Sequence, residues 1–204
     1  MKPMPARVWA LLAAVTAAML LLPTWVPSIW LRMAAIELLA AAAVLRWVPL
    51  PWTTLLRPRV STVLAGLGGA ALLWLAGAAV TWLLRGTAWL AGADAINGWA
   101  DALPGPALAL ALPCIVLAED VVWRGAVTHV LATQLRWPAA ALAAGAWFAL
   151  AHVTSGPPVL WLAALGCGTL WSAIALRTGT LAPVFAMHLG WDVLVLVVAP
   201  YPLR

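Results

Sequence analysis

Apolar residues fill the chain in long blocks, and the polar residues collect in the gaps between them. The first block begins after Lys2 and Arg7, is continuously apolar over 8–22, and reads as a span to about Trp30, kinked near Pro23 and Pro27. A cleaved secretory signal would also begin this way, but the cleavage site is unconvincing and everything that follows is equally apolar. The second span, 31–48, carries Glu37 among alanines and leucines, where pairing with Arg32 or with a neighbouring helix is expected rather than catalysis. Pro49, Pro51, Arg57, Pro58 and Arg59 break the chain, and 61–84 forms a third span in which Gly66, Gly68, Gly69 and Gly77 allow close helix packing. The polar stretch 85–105, with Asp94, Asn97, Asp101 and Pro104, predicts an extramembrane loop with a short interfacial helix around Trp89. Span four, 106–136, would be about 46 Å long if helical throughout, so it must tilt, protrude or bend, with Pro113 as the expected bend. Spans five to seven, 138–153, 159–176 and 181–199, follow with very short connections, which predicts a compact antiparallel set for the last four.

Composition agrees with an all-α, polytopic membrane protein of about seven spans. The chain is 66% hydrophobic and 8% charged, against roughly a quarter charged in soluble domains. Its net charge of +5 comes from basic residues scattered singly between apolar runs, so no nucleic-acid surface is expected. Lys2, Arg7, Arg46, Arg57, Arg59, Arg136 and Arg177 fall on one side of the predicted topology, and Arg32, Arg85 and Arg204 on the other. The N-terminus is therefore expected in the cytoplasm and, with seven spans, the C-terminus outside. Many of the 15 tryptophans, Trp25, Trp47, Trp52, Trp89, Trp99 and Trp137 among them, stand near the ends of apolar runs, as in an interfacial belt. Neither Cys114 nor Cys167 has metal-type spacing, and no inverted repeat supports the commonest transporter plan.

Three ionisable side chains within six residues, Glu119, Asp120 and Arg124, interrupt span four. Charge at this depth is normally tolerated only when paired, turned to a bundle interior or functional. At α-helical spacing Asp120 and Arg124 share a face, and Glu119 is left as the unpaired carboxylate. A buried ionic staple is the plainer alternative. Span five, however, puts Phe148 and His152 on one face, and span seven does the same with His188 and Asp192. Two histidines in short-looped helices beside a free glutamate point to a shared site. Glu119 can act as general base on a water and then as acid to a leaving amine, with His152 and His188 donating to an oxyanion. Alternatively, the three can ligate a zinc ion, with Asp192 orienting His188. Either version is hydrolytic. Ser172 and Cys114 have no base at useful spacing, and His129 reads as a packing or interfacial residue.

The segments Glu119 to Gly125, Phe148 to His152 and His188 to Asp192 resemble the three successive motifs of the CPBP family of intramembrane proteases, the CAAX-processing, Rce1-like and bacteriocin-processing (Abi) enzymes. The family pattern is Glu-Glu-x-x-x-Arg, Phe-x-x-x-His and His-x-x-x-Asn or Asp, and the approach from Arg177 through Pro183 to His188 is also similar. Asp120 here replaces the second glutamate, and Asp192 stands where asparagine is more usual. The resemblance implies an endopeptidase in which Glu119, His152 and His188 are catalytic and Asp120, Arg124, Phe148 and Asp192 support them. It divides the chain into an N-terminal scaffold, 1–105, and a catalytic helical core, 106–204. The expected substrate is a membrane-associated protein or peptide in contact with the bilayer, and the expected location is a bacterial inner membrane. If Glu119 were a zinc ligand, no second carboxylate would remain as base, so a metal-free glutamate mechanism is favoured, with zinc as the alternative. A non-catalytic immunity or maturation factor of the same family, or a transporter, would be the other readings.

Overall fold

The computed structural model describes residues 4–22 and 25–201; Lys2, Pro23 and Arg204 lie outside them. Every regular element among the described residues is a helix, with no strand. Helix α1 is Ala6–Leu21 and α2 is Ile29–Trp47. The break falls earlier than the sequence suggests, because Ser28 caps α2 by accepting a hydrogen bond from the Leu31 amide. Pro27 sits just before that cap, outside either helix, and Trp30 opens the second helix instead of closing the first. A one-turn helix α3, Trp52–Leu55, occupies the proline-rich connection to α4, Val60–Leu83.

The polar connection holds two 3₁₀ turns, Ala88–Leu90 and Ala100–Ala102, around a short α5, Asp94–Asn97. Helix α6, Gly105–Glu119, then runs on through Pro113 as helix. Its register changes further along, in a π-helical stretch Asp120–Val127 that leads into α7, Thr128–Leu131. Helices α8, Trp137–Ala151, α9, Pro158–Thr178, and α10, Ala182–Val193, complete the bundle, and α10 is extended by a second π-helical turn, Leu194–Val198. Gly179 ends α9 in the left-handed region at φ 65°, where its amide reaches back to the Ala175 oxygen, a conformation glycine adopts without steric cost.

Val60–Leu83, Gly105–Leu131 and Pro158–Thr178 are long and apolar enough to cross a membrane, and Ala6–Leu21, Trp137–Ala151 and Ala182–Val198 are shorter apolar helices. The protein is an integral membrane protein. Small residues set the close contacts. Gly145 lies against Thr169 and Gly168 against Phe148, which seals α8 to α9. Gly66 meets Pro183 and Ala186, and Gly69 meets Met187, which seats α4 along α10. The opposite side of α4 presents Leu64, Leu72, Leu75 and Leu83 outward, as expected of a lipid-facing surface. Helix α1 is tied to α8 by a hydrogen bond from Trp147 Nε1 to Thr16 Oγ1 (2.7 Å) and by stacking of Trp9 on Trp147.

Candidate active site

The change of helical register governs the site. In a π-helical turn the main-chain bonds run from i to i+5, so residues five apart return to one face. The side chains register the same offset: Thr128 Oγ1 donates to the Trp123 oxygen (2.8 Å), five residues back. Arg124 consequently faces both carboxylates, with Nη1 3.5 Å from Glu119 Oε1 and Nε 3.5 Å from Asp120 Oδ1. The expectation that Asp120 alone neutralises Arg124 while Glu119 stays free is therefore corrected. It assumed 100° per residue through a stretch where the helix is wider. Arg124 is wholly buried and lies between aromatic faces, its guanidinium carbon 4.0 Å from the Phe148 ring centre and 4.7 Å from that of Trp171.

The two histidines are held differently. His152 caps the C-terminus of α8; its Nδ1 lies 2.8 Å from the Phe148 oxygen, and its ring packs on the Phe148 ring at 4.3 Å. Because a carbonyl only accepts, Nδ1 donates there, and Nε2 is left for a ligand. His188 stands between carboxylates: Nδ1 is 3.2 Å from Asp120 Oδ1, and Nε2 is 3.7 Å from Asp192 Oδ2. The sequence assigned its orientation to Asp192. In the fold Asp120 makes the shorter contact, and so joins Arg124 of its own helix to the histidine of α10.

Glu119, His152, His188 and Asp192 all line one cavity of about 360 Å³. Asp120 and Arg124, both fully buried, stand behind its wall. Apart from these groups the lining is mostly apolar and aromatic, with Trp30, Leu112, Phe148, Trp171 and Trp191 among it. A stretch that contains all of these ionisable groups, residues 101–194, matches the family model described as type II CAAX prenyl endopeptidase Rce1-like. Residues 101–194 are similar to the Rce1-like family. No curated protein and no solved structure matches the chain.

All three polar segments singled out in the sequence lie inside the Rce1-like stretch. What lies outside it also shapes the site. Glu37 of α2, expected above to pair and not to catalyse, is fully buried and accepts a hydrogen bond from Trp123 Nε1 (3.1 Å). Trp123 in turn meets the Phe148 ring edge-on at 5.4 Å. Glu37 therefore pairs with a neighbouring helix and not with Arg32, which donates to the main-chain oxygens of Val26 and Ser155. A carboxylate in mid-span was the signal for it. His129 is a packing residue, its Nδ1 against the Arg124 and Gly125 oxygens (3.1 and 2.8 Å). The Ser172 hydroxyl donates to that of Thr128 (2.9 Å), whose own proton goes to the Trp123 oxygen, and Cys114 is exposed. Among the described residues no three His, Cys, Asp or Glu side chains converge as a metal-ligand set in the Rce1-like core.

Proposed function

We propose that this protein is an intramembrane endopeptidase that hydrolyses a peptide bond of a membrane-associated protein or peptide through a water activated by Glu119. The observation that carries the reading is a carboxylate and an imidazole, Glu119 and His152, on the wall of an otherwise largely apolar cavity, with Arg124 orienting the carboxylate from behind. Glu119 takes a proton from the water as its oxygen attacks the scissile carbonyl carbon. Protonated His152 stabilises the oxyanion through Nε2–H, the one imidazole nitrogen of the pair that no main-chain oxygen or carboxylate occupies. Collapse breaks the C–N bond, and the proton held by Glu119 passes to the departing amine. Asp120 and Asp192, one on each ring nitrogen of His188, orient that imidazole. The arrangement favours a metal-free mechanism, since both His188 nitrogens face carboxylates and Glu119 faces Arg124 instead of a common ligand point. We place the chain in a bacterial inner membrane, with about seven spans and a cytoplasmic N-terminus.

The test uses detergent-purified protein and synthetic S-prenylated peptides ending in cysteine and three further residues. Glu119→Gln keeps an oxygen for Arg124, so folded yield should match wild type while cleavage falls by about 10²–10⁴-fold. Wild-type cleavage by this variant would sink the assignment. Treatment with a strong chelator should leave cleavage intact. Activity that vanishes on stripping and returns with stoichiometric zinc would replace the glutamate mechanism with a zinc-dependent one.

A further inference from the structure

A second cationic site sits at the start of α2. Arg32 is only 7% exposed, yet no carboxylate lies within ion-pairing distance of it among the described residues. Its Nη1 and Nη2 donate to the main-chain oxygens of Val26 (3.3 Å) and Ser155 (3.2 Å), and Nε has no partner. Carbonyl oxygens satisfy N–H groups but do not neutralise the charge, and a buried, unneutralised cation is costly. The Ser155 hydroxyl, also 7% exposed, has no partner either.

Arg32 and Ser155 line one pocket together with Ser28, which caps α2, and Pro157, which caps α9. Two long helices thus begin at this pocket, and helix starts favour negative charge. None of its lining residues is acidic, and Asp94 and Asp101 of the neighbouring loop are exposed outside it. The pocket adjoins the catalytic cavity, because Ile29, Trp99 and Ser155 line both. His152 stands three residues before Ser155, a separation of at most about 11 Å.

We propose that Arg32, the Ser155 hydroxyl and the two helix starts bind the free C-terminal carboxylate of the substrate peptide. This rests on the endopeptidase reading and deepens it. The carboxylate neutralises the guanidinium and accepts from both orphaned donors. A chain end fixed there places a peptide bond within about three residues of the terminus beside His152 and Glu119. Arg32 and Ser155 are then specificity residues, with no part in the bond-breaking step.

The experiment compares two S-farnesyl peptides, identical except for a terminal carboxylate or carboxamide, for binding to the full-length protein in detergent. Wild type should bind the carboxylate at least about tenfold more tightly. Arg32→Gln should bring that ratio close to one, and Arg32→Lys should keep part of it, as a point charge without the planar fork. Should Arg32→Gln fail to fold, the wild-type ratio and Ser155→Ala, expected to lower it severalfold, still decide the matter. Equal binding of the two peptides by wild type, or a preference that survives Arg32→Gln, overturns the proposal. If the preference is absent and phosphatidylglycerol in nanodiscs stabilises wild type but not Arg32→Gln, the pocket holds a lipid phosphate and the peptide assignment falls. Cleavage is scored in the same samples. Binding preference without cleavage overturns the endopeptidase reading and leaves the carboxylate site standing; cleavage without preference does the reverse.

Discussion

Arg124 touches two carboxylates and two aromatic faces and has no exposed surface, so its removal strands Glu119 and Asp120 together in the interior. Breaking a buried pair from one side costs about 3–5 kcal/mol, and Arg124→Ala should sharply lower the yield of monodisperse protein in size-exclusion chromatography. Arg124→Lys should not restore it, because an ammonium supplies neither the planar stack nor two divergent donors; wild-type yield from the lysine variant would contradict this account. Glu37 invites a gentler test. Glu37→Gln keeps an acceptor for Trp123, whereas Glu37→Leu removes it and should cost about 1 kcal/mol in thermal unfolding. Trp123→Phe should add little on top of Glu37→Leu, since both delete the same bond; full additivity would show the bond to be idle. At this scale the sequence disclosed which polar side chains come together, through charge and imidazole placed in apolar helices. It did not disclose who pairs with whom, because Glu119 with Arg124, and Asp120 with His188, depend on a wider helix and on packing between α6 and α10.

The π-helical stretch Asp120–Val127 is the element on which the site turns. Deleting Ala126, a buried residue beyond both carboxylates and Arg124, should let the stretch relax to α-helix and carry Glu119 and Arg124 off a common face. A displacement of that kind should lower cleavage by about 10²-fold or more, and wild-type turnover in the deletion variant would remove the π register from the mechanism. Glycines give a paired control on helix packing. A side chain at Gly145 would run into the backbone of Thr169, so Gly145→Val should cost about 1–3 kcal/mol; Gly68 faces open space, and Gly68→Ala should leave stability unchanged or raise it by up to about 1 kcal/mol, both read from melting temperature. Most helix bounds were legible to within a few residues because apolar blocks and prolines mark them, but the first helix ends at Leu21 and not near Trp30. The π register left no trace in the hydrophobic pattern, since every residue from Asp120 to Val127 is buried and the stretch has no solvent-exposed face to reveal its period.

Across the whole molecule, the cavity is closed by helices outside the Rce1-like stretch: Ile29, Trp30 and Met33 of α2 and Leu73, Ala76 and Val80 of α4 form part of its wall. The sequence marked these helices only as apolar spans, and their part in the site emerges from packing that no local pattern encodes. Orientation is testable directly. With the N-terminus in the cytoplasm, alkaline phosphatase fused within Asp94–Asn97 should be active and a fusion after Arg57 inactive; the opposite result would invert the topology. The π stretch also bears on the molecule's ancestry. A wide turn is an α-helix with one surplus residue, and one residue corresponds to about 100° of rotation. Loss of one codon within Asp120–Val127 would therefore leave every motif residue of α8 and α10 unchanged, and a descendant carrying it would still inherit a dismantled Glu119–Arg124 pair.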